Sequence, residues 1–94
     1  MFINPFDSEE EHVDIFDVIS EFNEEALSVD GYDDCIIGMC EVFGRPPLIA
    51  YDRRKMIEKL AEDMTIEEAE EYFEFNIAGG WVGDNTPVFV TVLT

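Results

Sequence analysis

Glu10, Asp14, Asp17, Glu21 and Glu24 follow one another at intervals of three and four residues, and Glu67, Glu70, Glu71 and Glu74 form a similar row near the other end of the chain. Carboxylates at that spacing share one side of an α-helix, so each row obliges the opposite side of its helix to supply core. In the first segment Ile15, Val18, Ile19, Phe22 and Ala26 recur at helical intervals, and in the second Ile66, Ala69, Phe73 and Ile77 do the same. Amphipathic helices, each with one acidic face, are therefore the expected framework.

Local signals place the elements. Ser8 followed by Glu11 has capping-box spacing, which puts a first helix from about Glu9 to Leu27 after an extended segment over residues 1–8. Phe2 and Ile3 in that segment offer one short strand. SVDGYDD reads as a turn. Tyr32, Cys35, Ile36, Met39 and Phe43 then repeat the helical spacing up to Gly44, which suits a C-terminal cap. CIIGMCEVF fits a buried strand as well, and Gly38 weakens both readings. Arg45-Pro46-Pro47 stops whatever precedes it, and LIAY has the length of a strand. Asp52 caps a further helix with Met56, Ile57 and Leu60 inward and Arg53, Arg54, Lys55 and Lys59 outward as the one basic patch. Thr65 and Glu68 form a second capping box, Gly79-Gly80 ends that helix, WVGDNTP is a loop and VFVTVL is a closing strand. The expected fold class is α+β: about four short helices packed with a small two- or three-stranded sheet, in a single domain over residues 1–94.

Charge narrows the function. The 94 residues hold 23 Asp and Glu against five Lys and Arg, a formal net charge of -18. Residues 1–44 carry thirteen acids and no Lys or Arg, so the N-terminal half is the negative pole. Such a surface has the sign of phosphate; direct nucleic-acid binding and attraction to an anionic membrane are not expected, whereas basic proteins are. No apolar run approaches the roughly 20 residues of a bilayer span, and MFINPFDSEEE lacks the basic start of a signal peptide, so a cytoplasmic setting is expected.

The signs of chemistry are weak. Acids on solvent faces at helical spacing lack the pocket that pushes two carboxyl pKa values apart for acid–base work. DSEEE and the VDGYDD turn cluster oxygens, but without the EF-hand ligand order. His12 is the sole histidine and has no nucleophile motif around it; Cys35 and Cys40 read as buried free thiols. GGWVG follows a helix instead of opening one, which removes the phosphate-cradle reading. Tyr72, Phe73 and Phe75 read as core, and Trp81, in a loop, as an exposed contact residue. No catalytic residue, metal ligand or cofactor is expected.

Tyr51-Asp52 with Lys55 and Ile57, M-T-x-E-E-A at Met64 to Ala69, E-Y-F-E-F-N at Glu71 to Asn76 and G-x-N-T-P at Gly83 to Pro87 together resemble a family of small acidic proteins carried by bacteriophages and prophages, over about residues 32–90. The resemblance implies a phage setting, no catalytic activity and action in the host cytoplasm. Small acidic phage proteins are often nucleic-acid mimics that block host restriction or CRISPR enzymes.

Geometry is compatible with such mimicry. Acids one helical turn apart rise by about 5 Å, and each DNA strand spaces its phosphates about 3.4 Å apart, so two acidic helices side by side approximate that density. The expectation is a basic host nucleic-acid-binding protein as partner, met by Glu10, Asp14, Asp17, Glu21 and Glu24, with Glu67, Glu70, Glu71, Glu74 and Trp81 as a second surface. Two alternatives stay open: a homo-oligomeric assembly module paired through Trp81 and the closing strand, and acidity that serves only solubility or a high-salt environment.

Overall fold

The computed structural model describes residues 2–5 and 14–93. Glu10, His12, DSEEE and the Ser8–Glu11 capping box lie outside them. The order of elements is β1 (Phe2–Ile3), α1 (Asp14–Phe22), β2 (Ser28–Val29), a 3-10 turn (Asp33–Cys35), β3 (Ile36–Cys40), β4 (Leu48–Asp52), α2 (Arg53–Leu60), α3 (Ile66–Tyr72), a π-helical turn (Phe73–Ala78) and β5 (Val88–Val90). The class is α+β, with three α-helices among the described residues where the sequence suggests about four.

The difference lies at residues 32–44, where β3 replaces the second helix. Gly38 costs a helix interior about 1 kcal/mol, and the adjacent LIAYD run offers a ladder: β3 and β4 pair antiparallel from Ile36↔Tyr51 to Cys40↔Leu48. Ile37 is the extra residue of a bulge between Ile36 and Gly38, and it is exposed. Phe43, the last residue of the apparent helical stripe, is fully exposed. The sequence pattern there was a coincidence of spacing.

β4 is the central strand. It pairs with β3 on one side and, parallel, with β5 on the other, in register Ala50↔Val88, Tyr51↔Phe89 and Asp52↔Val90. A parallel pair needs a long crossover, and α2, α3 and the π-turn supply it. β1 and β2 form a separate antiparallel pair, Phe2↔Val29 and Ile3↔Ser28. The Tyr51 hydroxyl joins the two sheets by accepting from the Val29 N–H at 2.7 Å.

Ile49 and Tyr51 alternate into a core completed by Phe16, Ile19, Val29, Met56, Ile57, Leu60, Ala69, Phe73 and Ile77. α2 follows its expected pattern: the Asp52 carboxylate accepts from the N–H groups of Arg54 and Lys55, and Met56, Ile57 and Leu60 are buried. α1 is rotated from expectation. Phe16 and Ile19 face the core, whereas Ile15, Val18 and Phe22 are 38, 51 and 49% exposed. It also stops at Phe22, short of Leu27. Asn23 ends it, because its side-chain oxygen accepts from the Glu25 N–H while its amide donates to the Pro47 carbonyl at 2.9 Å and to Asn85 Oδ1 at 3.0 Å.

α3 opens on the capping box foreseen at Thr65 and Glu68, although Ile66 is exposed instead of inward. Its continuation as a π-turn has a geometric reason. Residues four apart advance by about 40° around an α-helix, so Ala69, Phe73 and Ile77 drift steadily across the core-facing stripe of an unbroken one. The i→i+5 turn winds more residues into each revolution and takes the drift back, leaving all three buried. The Gly79 N–H closes the turn on the Glu74 carbonyl at 2.9 Å. A Cβ at Gly79 would sit 2.7 Å from that oxygen, so the close approach requires glycine.

Candidate protein-interaction surfaces

Asp17 and Glu21 are exposed on α1, and Glu24 is exposed in the turn beyond its end. Asp14 is the first residue of the helix. The structure therefore keeps Asp17 and Glu21 on one helix but takes Glu24 off it. Glu67, Glu70 and Glu71 are exposed on α3 as the spacing requires. Glu74 is exposed in the π-turn, but its carboxylate is paired with Arg53 at 2.7 Å.

Neutralisation of the acids is sparse. Among the described residues two ion pairs lie within 4 Å, Arg53–Glu74 and Lys59–Asp34. Each base also covers an aromatic face: Arg53 stands 5.1 Å from the Phe73 ring centre and Lys59 5.5 Å from that of Tyr32. Hydrogen bonding to Lys59 holds the Asp34 carboxyl below its usual range, and the same bond raises Lys59. Asp33 is pushed up, first by partial burial and then by the neighbouring charges of Asp30 and Asp34. Burial pushes the Cys35 thiol up to about 11, which keeps it protonated and a poor nucleophile at neutral pH. Cys40 is a half-buried free thiol, less enclosed than the sequence suggests.

The aromatics correct the sequence reading. Phe73 is buried, edge-on to Phe89 at 5.2 Å. Tyr72 and Phe75, expected in the core, are 38 and 75% exposed. Trp81 is exposed as expected, at 70%, beside exposed Val82. The turn after it is closed by Thr86, whose hydroxyl donates to the Gly83 carbonyl at 2.7 Å and accepts from the Val82 N–H at 3.0 Å.

Tyr72 and Phe75 join Met64, Glu68, Glu71 and Asn76 around an open, shallow groove of about 470 Å³. Sequence reasoning missed this groove, though one signal was available. With Phe73 inward, Phe75 two residues on has to face away from the same core. A second depression, between Asp34, Cys35, Lys55, Glu58, Lys59 and Glu62, surrounds the Lys59–Asp34 pair. No group of three or more His, Cys, Asp or Glu among the described residues is placed to hold a metal ion. No helix there is long and apolar enough to cross a membrane.

No protein-family model, curated protein or solved structure matches the chain.

Proposed function

We propose that the protein is a non-enzymatic binder whose exposed carboxylates occupy the basic nucleic-acid-binding surface of a partner protein, as a mimic of the nucleic-acid backbone. The observation that carries this reading is the imbalance at the surface: the chain has a net charge of -18, and among the described residues two bases are spent on ion pairs while Asp17 and Glu21 on α1 and Glu67, Glu68, Glu70 and Glu71 on α3 face solvent. The phage resemblance of residues 32–90 supplies the setting, a host enzyme of nucleic-acid defence such as a restriction or CRISPR effector. Such charges chiefly speed encounter and select the partner, so complexes held by them weaken steeply with salt.

The test is capture of a host protein on the immobilised chain, followed by elution with a salt gradient and by competition with nucleic acid. The mimic predicts release by both. Replacing Asp17, Glu21 and Glu24 together by Lys should abolish capture, and intact capture by that variant overturns the reading.

A second reading, assembly into a homo-oligomer, draws on the exposed Trp81, Val82 and Leu93 beside the edge strand β5. Light scattering at low and high salt separates the two. A monomer supports mimicry, and a salt-resistant oligomer supports assembly.

A further inference from the structure

We propose that the groove along α3 and the π-turn is an arginine-binding subsite, which takes a guanidinium side chain presented by a basic segment of the partner. The proposal rests on the reading of the acidic surface above and gives it a specific point of contact. Glu68, Glu71, Tyr72, Phe75 and Asn76 stand at i, i+3, i+4, i+7 and i+8 along α3 and the π-turn, beside the buried stripe of Ala69, Phe73 and Ile77, and Met64 joins them from just before the N-cap Thr65. Its apolar wall is Met64, Tyr72 and Phe75, and among the described residues its charged groups are two carboxylates, Glu68 and Glu71.

Three features suit a guanidinium there. The Glu68 carboxylate is held in place, since Oε1 accepts from the Thr65 hydroxyl at 3.0 Å and from the Thr65 N–H at 3.4 Å. Glu71 is exposed and belongs to both the acidic row and the groove. Phe75 presents its ring at three-quarters exposure, on a backbone that the π-turn and Gly79 fix. A planar cation can stack on such a ring while its N–H groups meet the carboxylates, which a lysine ammonium does less well. The chain already shows the pairing internally, where Arg53 lies over Phe73 and bonds Glu74. A second copy of the chain is a poor occupant, because each copy carries -18.

The test is a titration of the full ¹⁵N-labelled chain with two capped peptides, acetyl-Gly-Arg-Gly-Arg-Gly-amide and its lysine counterpart, followed by amide shifts. Shift changes should centre on residues 64–76, and arginine should bind about two- to five-fold tighter than lysine. Phe75→Ala should erase that preference while the spectrum stays that of the folded chain, and Glu71→Gln should weaken both peptides. Shifts spread over α1 and α3 alike with no preference for arginine overturn the subsite but leave the wider acidic-surface reading standing. Absence of binding, or concentration-dependent broadening of residues 64–76 without peptide, overturns the subsite as well. The mimic itself fails separately, by the charge-reversal experiment on α1.

Discussion

On α2, Arg53 reaches the ring of Phe73 and the carboxylate of Glu74, and Lys59 reaches the ring of Tyr32 and the carboxylate of Asp34. Two bases thereby tie the helix to the π-turn and to the 3-10 turn before β3. On α1 no base exists in the sequence to do the same, and the helix is held by Phe16 and Ile19 on one side and by the Asn23 hydrogen bonds at its end. The basic helix uses its charge to hold the fold, and the acidic one leaves Asp17 and Glu21 to solvent. Asp17 and Glu21 thus stay exposed on a helix that supplies no base of its own.

The largest expected effect tests whether the clamped side carries the stability. Phe73→Ala removes a buried ring that touches Phe89 and Arg53 and should cost about 3–5 kcal/mol in urea unfolding. Phe22→Ala on α1 removes a ring that is already half exposed and should cost about 1 kcal/mol or less. Equal losses would break the comparison.

Tyr51→Phe addresses the junction between the regions. It deletes the acceptor of the buried Val29 N–H and with it the hydrogen bond between the β1–β2 pair and β4, at a cost of about 1–3 kcal/mol by the same measurement. A value near zero would show that the two sheets are joined by packing alone.

Charge comes next in size. Arg53→Ala should lose about 1 kcal/mol, because Arg53 and Glu74 are both partly exposed and the pair is screened, while the contact with the Phe73 ring adds a modest share. Glu21→Gln on α1 should leave stability unchanged within about 0.5 kcal/mol. A comparable loss at Glu21 would mean that the α1 acids serve the fold.

The same contrast explains what was legible in the sequence. The start of α3 was readable because a capping box, a helical apolar stripe and a glycine pair agree on one segment, and the start of α2 because Asp52 follows an apolar strand. In α1, IFDVISEF offers two stripes that share Ile19, one with Ile15, Val18 and Phe22 and one with Phe16, and local spacing does not choose between them. Packing does, and it takes the second. β3 was ambiguous for a related reason: Ile36 to Cys40 becomes a strand because β4 lies beside it. The π-turn was not legible, because the four-residue spacing of Ala69, Phe73 and Ile77 fits an unbroken α-helix as well. The aromatic groove escaped notice because a general preference for buried aromatics outweighed the position of Phe75.

The smallest effect separates two adjacent carboxylates. Asp33 has its folded pKa raised, by burial first and by Asp30 and Asp34 next, so the folded chain binds that proton more tightly than the unfolded one. Stability from this group therefore falls as pH rises past the unfolded value of about 4. Asp33→Asn removes the penalty and should raise the melting temperature slightly at pH 7, with the gain vanishing towards pH 3. Asp34 has its folded pKa lowered by the hydrogen bond to Lys59, so its contribution is present above the unfolded value and is lost as pH falls through the folded one. Asp34→Asn should thus lower the melting temperature at neutral pH, and that loss too should fade in acid. Adjacent substitutions of the same kind then move stability in opposite directions, and the reverse order at pH 7 would show that Lys59 does not distinguish the two carboxylates in solution.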